Sequence, residues 1–178
     1  LAQAWLSSSQ YRDMWHIPGL YPDDSGWAYD PVRARNSVMS LFTELVPEQG
    51  WISVNALIDN VKEIEPDFQR PNGDYDSWYI RNASGEFLNG FESWDAVEGA
   101  LIEYYMMGPM HWLGLVDVGD DAHVEVQPEI GREHPVSAHS NERAVAVVLG
   151  LFAGFTAQGS WETWLTFRNS TDFGQTDP

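Results

Sequence analysis

The sequence predicts an α+β fold, because helical and strand-like periodicities occupy different parts of the chain. Three segments carry apolar residues at the three- and four-residue spacing of an amphipathic helix. A short extended piece, Trp51-Ile52, separates the first two segments, and two alternating segments follow the third. This order is typical of a winged helix, a three-helix core with a two-stranded wing. We therefore assign a winged-helix domain to residues 31–127.

The first two helices have clear predicted boundaries. Asp30 followed by Pro31 is a good helix start, and the helix is expected to run to about Val46. Ser53 is the expected N-cap of the second helix, which Glu65-Pro66 ends. The residues predicted to face inward are Ala34, Val38, Leu41, Phe42 and Leu45 in the first helix and Val54, Leu57, Ile58, Val61 and Ile64 in the second.

The third helix leads into the predicted wing. Ser93 or Asp95 caps it, and Gly108 is expected to take the left-handed conformation that ends a helix, just before Pro109. Its predicted inward residues are Trp94, Val97, Leu101, Tyr104 and Tyr105. The wing is predicted as strand 115–118, turn 119–121 and strand 123–126.

Three further segments complete the predicted organisation. Residues 1–30 form an N-terminal arm rich in aromatic residues, and a small hairpin is inserted at about 66–90. Residues 128–178 form a linker and a C-terminal extension. Within the extension, residues 142–153 have helical spacing, although their valine content leaves a strand as the alternative.

The net charge limits the classes of ligand that the protein can bind. The 178 residues contain 27 acidic and 9 basic side chains, which gives a formal net charge of −18, and Lys62 is the only lysine. Such a surface repels phosphate backbones and anionic lipid headgroups. We expect no membrane association, because the longest apolar run, Ala144 to Phe155, is too short to span a bilayer.

Cysteine usage and the start of the chain bear on location. The absence of cysteine excludes disulfides, thiolate metal sites and a cysteine nucleophile, and it fits a reducing compartment. We expect a cytoplasmic protein. Leu1 in place of a methionine suggests an excised fragment or a processed chain.

No residue pattern predicts catalysis or a cofactor. His134 and His139 lack the one-turn spacing that places two imidazoles on one helical face, so no metal site is predicted. The carboxylate pairs, Asp23-Asp24, Asp74 with Asp76 and Asp120-Asp121, lie in turns where both members are expected to be solvated. A carboxylate-based hydrolase is the distant alternative, and we expect no enzyme.

The third helix supplies the predicted partner surface. Its outward face is expected to carry Asp95, Glu98, Ile102, Glu103 and Met106. Three carboxylates on one face oppose the phosphates that flank a DNA groove. Apolar side chains among acids favour a protein partner instead.

DNA binding is the alternative function. Four arginines, Arg33, Arg35, Arg70 and Arg81, are candidate phosphate contacts. If they converge in the fold, a local basic patch overrides the net charge, and a wing can reach a minor groove.

Several short motifs also resemble a known family. They are Trp51-Ile-Ser53, Pro66-Asp-Phe-Gln-Arg-Pro71, Gly73-Asp-Tyr-Asp-Ser-Trp78, Gly90-Phe-Glu-Ser-Trp94 and Gly108-Pro-Met-His-Trp-Leu-Gly-Leu115. Over roughly residues 30–127 the chain resembles the winged-helix region of uncharacterised bacterial proteins related to the XPB-type helicase-associated conserved region.

The resemblance implies a non-catalytic winged-helix module in DNA-associated or regulatory machinery. A helicase motor needs a phosphate-binding loop, and the chain has none. The sequence also departs from the family after Val126, where Gln-Pro-Glu-Ile-Gly131 replaces the expected continuation of the wing.

Overall fold

The α+β class is confirmed. The computed structural model describes residues 1–23, 29–46, 51–120 and 143–147, and of residues 71, 120 and 143–147 only the backbone. The elements in chain order are α1 (Ala2–Leu6), β1 (Tyr21–Pro22), α2 (Pro31–Leu45), β2 (Trp51–Ser53), α3 (Val54–Ile64), β3 (Ile80–Arg81), α4 (Ala100–Tyr105), β4 (Val116–Asp120) and β5 (Arg143–Val147). Short 3₁₀ helices cover Asp13–His16, Pro71–Gly73 and Phe91–Ser93.

Helices α2 and α3 begin at the predicted caps. An Asp30 Oδ1 atom accepts hydrogen bonds from the N–H groups of Val32 and Arg33, both at 3.0 Å, with Pro31 in the first turn. The Ser53 hydroxyl accepts from the Ala56 N–H at 3.4 Å. Most of the predicted inward residues of the two helices are buried: Ala34, Val38, Leu41, Phe42, Val54, Leu57 and Val61.

The helical segment that contains α4 continues beyond Gly108, where its backbone is kinked. π-helical turns extend it in both directions, over Asp95–Gly99 and Met106–Met110. Gly108 is not left-handed (φ −109°), so that part of the prediction is wrong. Gly114 takes this role with φ 68°, because its N–H bonds to the His111 carbonyl and the Leu115 N–H to the Met110 carbonyl. This pairing is a Schellman motif.

A three-stranded antiparallel sheet has the strand order β2-β5-β4. Its register places Val145 opposite Ile52 on one side and opposite Val118 on the other. The prediction of a helix is therefore wrong for residues 143–147, where backbone pairing to two strands outweighs the helical spacing. The predicted wing strand at 123–126 lies outside the described residues.

The N-terminal arm belongs to the core. Met14, Ile17 and Leu20 are buried in the same apolar cluster as Phe42 and Trp94. A second, small antiparallel sheet pairs β1 of the arm with β3, so that Tyr21 lies opposite Arg81 and Pro22 opposite Ile80. The arm and the segment before α4 are thereby joined.

Candidate functional site

The predicted partner face of the third helix is largely internal. Glu98, Ile102 and Met106 are fully buried, so their predicted exposure is wrong, whereas Asp95 and Glu103 are exposed. The three buried residues form one stripe at a spacing of four. The side chains of Gln69 and Arg70 cover this stripe at Glu98, a tertiary contact that helical periodicity does not predict.

Arg70 and Glu98 form a buried ion pair. The Arg70 Nε–H donates to Glu98 Oε1, which also accepts from Gln69 Nε2 at 2.9 Å. The Arg70 guanidinium lies 4.9 Å from the ring centroid of Tyr75 and 4.6 Å from that of Trp78. Burial raises the pKa of Glu98 above its ordinary value, against the opposing effect of Arg70. Because Arg70 is 1% exposed and Glu98 0%, this pair lies in the interior of the fold.

Arg35 is also internal and ties the arm to α2. Its guanidinium pairs with Asp13 at 2.7 Å and donates to the backbone carbonyls of Trp5 at 2.6 Å and Ser8 at 2.7 Å, and also to that of Tyr11. The Nε–H donates to Asp13 at 2.9 Å. Arg35 thus makes four hydrogen bonds within the protein in addition to the close ion-pair contact with Asp13.

The four candidate phosphate contacts are therefore divided. Arg35 and Arg70 are buried in ion pairs, so a nucleic-acid contact by either is ruled out by their burial. Arg33 and Arg81 are exposed. The predicted patch of four arginines does not form, because two of the four side chains neutralise buried carboxylates.

Arg81 lies within an exposed group of aromatic side chains, which we call the aromatic patch: Tyr21, Tyr79, Arg81 and Phe87. The β1–β3 pairing places Tyr21 beside Arg81, and a β-bridge places Phe87 on the other side of Arg81. Side chains alternate along this strand, since Trp78 and Ile80 are buried while Tyr79 and Arg81 are exposed. The patch is the outer face of a small sheet whose inner face packs on the core.

The aromatic patch is well exposed and internally ordered. The exposed fraction is 59% for Tyr21 and 47% for both Tyr79 and Phe87. The rings of Tyr79 and Phe87 meet edge to face, with centroids 6.1 Å apart. The Arg81 guanidinium lies 4.2 Å from the Phe87 ring centroid. Aromatic and arginine side chains are the residues most enriched at protein-binding hot spots.

The edge of this small sheet is protected against strand addition. The Asp23 N–H donates to the Tyr79 carbonyl at 2.9 Å, so residues on either side of Pro22 bond inward. Pro22 takes the outward position and has no N–H to donate. The β1 edge of the sheet therefore offers no N–H group at Pro22 to an added strand.

Part of the aromatic patch has a signal in the sequence. The run Trp78-Tyr-Ile-Arg81 predicts a strand, and Tyr79 and Arg81 share the parity opposite to Trp78 and Ile80. Tyr21 belongs to the patch only because β1 pairs with β3, and no local sequence pattern predicts this pairing.

The described part of the chain offers no metal site and no membrane span. Within it, no three His, Asp or Glu side chains are grouped so that they could hold a metal ion. None of its helices is long and apolar enough to cross a bilayer.

Similarity to known proteins is confined to a short segment. No protein-family model matches the chain, and no solved structure matches it. A segment of 34 residues is 62% identical to a UPF0182 protein of Salinispora arenicola and 59% identical to one of Salinispora tropica. A segment of 35 residues is 54% identical to a UPF0182 protein of Frankia alni. These matches cover 19–20% of this chain and only 3% of the length of each relative.

Proposed function

We propose that this chain is a non-catalytic protein-interaction module and that the aromatic patch is its contact surface. The observation that carries the proposal is the exposure of Tyr21, Tyr79 and Phe87 around an ordered arginine. Keeping three aromatic rings in water on one small sheet costs free energy, which binding to a partner recovers.

Charge favours a protein partner over nucleic acid. The formal net charge is −18, and two of the four candidate arginines are occupied in buried ion pairs. Nucleic-acid affinity comes largely from neutralising several phosphates with basic side chains. DNA binding through Arg33 and Arg81 is the competing function, and salt dependence distinguishes the two.

We also propose that the fold is a winged helix within a DNA-associated or regulatory system of the cytoplasm. Support comes from the element order α2, β2, α3, α4, β4, β5 and from a sheet that joins β2 to the last two strands. The resemblance of residues 30–127 to helicase-associated winged-helix regions supports the system, and the lack of cysteine supports the compartment. Of the predicted helix face, only Asp95 and Glu103 are exposed, and Asp95 is paired with Lys62, so this face is not part of the proposed contact surface.

Capture of partners by an affinity-tagged chain tests the contact surface. We expect the Tyr79→Ser/Phe87→Ser variant to lose a partner that the wild type retains. Trp112→Ser is the matched control, because Trp112 is 71% exposed and lies outside the aromatic patch. The captured partner is then purified and its Kd measured for all three proteins.

A partner that binds the three proteins equally would contradict the assignment of the surface. A mobility-shift titration across salt concentration tests the competing function. Tight binding to duplex DNA that weakens steeply with salt and depends on Arg33 and Arg81 would replace the protein-partner proposal with a DNA-binding one.

A further inference from the structure

We propose that the aromatic patch recognises a single carboxylate in a protein partner, which pairs with Arg81 while the neighbouring apolar side chains of the partner rest on Tyr79 and Phe87. This inference rests on the proposed function, because it specifies the chemistry of a partner at the same surface. It commits to an acidic side chain flanked by apolar residues.

The first support is that Arg81 has no carboxylate partner among the described residues. Arg35, Lys62 and Arg70 each have a carboxylate partner within 2.9 Å. Arg81 has no ion pair with any residue that the structure describes, and its contact is with the Phe87 ring. The protein has 27 acidic side chains, yet none of the described ones neutralises the exposed guanidinium of Arg81. This guanidinium can therefore pair with an anion from outside the chain.

The second support is geometric. The Arg81 guanidinium carbon lies 4.2 Å from the centroid of the Phe87 ring, and this contact leaves the N–H groups of the guanidinium for another acceptor. This arrangement suits the two parallel hydrogen bonds of an arginine–carboxylate pair. Because the Phe87 ring already orders the Arg81 side chain, pairing loses less rotamer entropy than it would at a mobile arginine.

The third support is the amount of charge that the surface can accept. One guanidinium can neutralise one carboxylate, whereas a nucleic-acid strand brings a phosphate at every nucleotide to a protein of charge −18. Repulsion from distant acids is screened beyond about 8 Å at physiological salt. A single carboxylate therefore experiences mainly Arg81 and the acidic residues at the border of the patch.

Two acidic residues lie at this border: Glu86, whose side chain accepts a hydrogen bond from Asn82 Nδ2 at 3.0 Å, and Asp23. Asp23 lies two residues beyond Tyr21 and bonds through its N–H to the Tyr79 carbonyl, two residue pairs away from Arg81. Its charge opposes an incoming carboxylate. Asp23→Asn and Arg81→Ser are therefore expected to change affinity in opposite directions, a result that general stickiness of the exposed rings does not produce.

Dye-labelled, end-blocked peptides of sequence Gly-Phe-Glu-Phe-Gly test the inference by fluorescence anisotropy with the full chain. Matched peptides carry Gln or Lys in place of Glu, and a short single-stranded oligothymidylate serves as the phosphate probe. Arg33→Ser is the control for Arg81→Ser, since both arginines are exposed. Circular dichroism and Tm establish that each variant is folded.

We expect the Glu peptide to bind more tightly than the Gln peptide, and the Lys peptide to bind most weakly. Arg81→Ser should weaken the Glu peptide about tenfold or more, the effect of losing a charged hydrogen-bonded pair. Asp23→Asn should strengthen it, and Arg33→Ser should leave it unchanged.

The inference is overturned if the Lys peptide binds best, if Arg81→Ser and Arg33→Ser act alike, if no peptide binds, or if the oligothymidylate binds in an Arg81-dependent manner. The proposed function fails by a different result. If a captured partner depends on Tyr79 and Phe87 but not on Arg81, the interaction surface stands and only the carboxylate is wrong.

Discussion

Trp51 lies over Gly119 across the three-stranded sheet, although β5 separates their two strands. A methyl group added at Gly119 would lie 3.1 Å from Cζ3 and 3.2 Å from Cη2 of the indole ring. Such contacts are tighter than ordinary van der Waals packing, so the ring must move to admit a side chain. The absence of a side chain at position 119 and the position of the indole are therefore coupled.

This coupling predicts a change of sign in a double-mutant cycle. Gly119→Ala should destabilise the wild type by about 1 kcal/mol, because Trp51 must shift. In the Trp51→Ala background the same change should stabilise by roughly 0.5–1 kcal/mol, the ordinary gain on replacing glycine within a strand. Urea unfolding of the four proteins measures both values. Equal effects of Gly119→Ala in the two backgrounds would show that the residues are independent.

Local features of the fold could be predicted from the sequence, whereas the contact between Trp51 and Gly119 could not. Helices α2 and α3 were predicted with their caps, because Asp30 and Ser53 act on backbone N–H groups two or three residues away. The contact between Trp51 and Gly119 joins residues far apart in the chain. No local periodicity contains such a contact, and the pairing of β5 with β2 and β4 was missed for the same reason.

The outward face of the third helix shows the same limit for the candidate site. Periodicity grouped Glu98, Ile102 and Met106 correctly on one stripe but could not reveal that Gln69 and Arg70 cover it. Charged residues are expected to be exposed unless they are paired. Glu98 and Arg70 are instead buried as an ion pair, and no local sequence pattern around either residue predicts its burial.

Arg35 is predicted to hold the N-terminal arm in place. Replacing it with methionine leaves Asp13 buried without its charge partner, so we expect a loss of about 3–5 kcal/mol in the free energy of unfolding. Hydrogen exchange should rise first in residues 1–17, whose carbonyls at Trp5, Ser8 and Tyr11 lose their donor.

Arg33→Met is the control for this change, because Arg33 is an exposed residue on the same helix, and its effect should stay within about 0.5 kcal/mol. If hydrogen exchange in the Arg35→Met variant increases equally in all described elements, the arm does not unfold separately from the rest of the fold.

The Arg70–Glu98 pair predicts a pH dependence of stability. Burial raises the pKa of Glu98 above its ordinary value of 4.5. A raised pKa means that the folded state holds the proton more tightly than the unfolded state does. The stabilising contribution is therefore complete below pH 4.5 and is lost as the pH rises through the folded-state pKa.

Replacing both residues, as Arg70→Met/Glu98→Met, removes this titration without leaving an unpaired buried charge. The stability of the wild type relative to this variant should fall as the pH rises above 4.5, as measured by urea unfolding at several pH values. Glu92→Gln, a change at an exposed glutamate, is the control. A difference between wild type and double variant that stays constant with pH would contradict the assignment.

Two glycines on either side of α4 are predicted to respond to alanine in opposite directions. Gly114 holds a left-handed backbone (φ 68°) that ends the helix, so Gly114→Ala should destabilise by about 1 kcal/mol. Gly99 has helical φ and ψ, and an added methyl would meet Ile58 at an ordinary 3.4 Å. Gly99→Ala should therefore stabilise by roughly 0.5–1 kcal/mol. Thermal unfolding of both variants measures the two signs, and destabilisation by Gly99→Ala would show that the groove between α3 and the α4 helix is too tight for a methyl group.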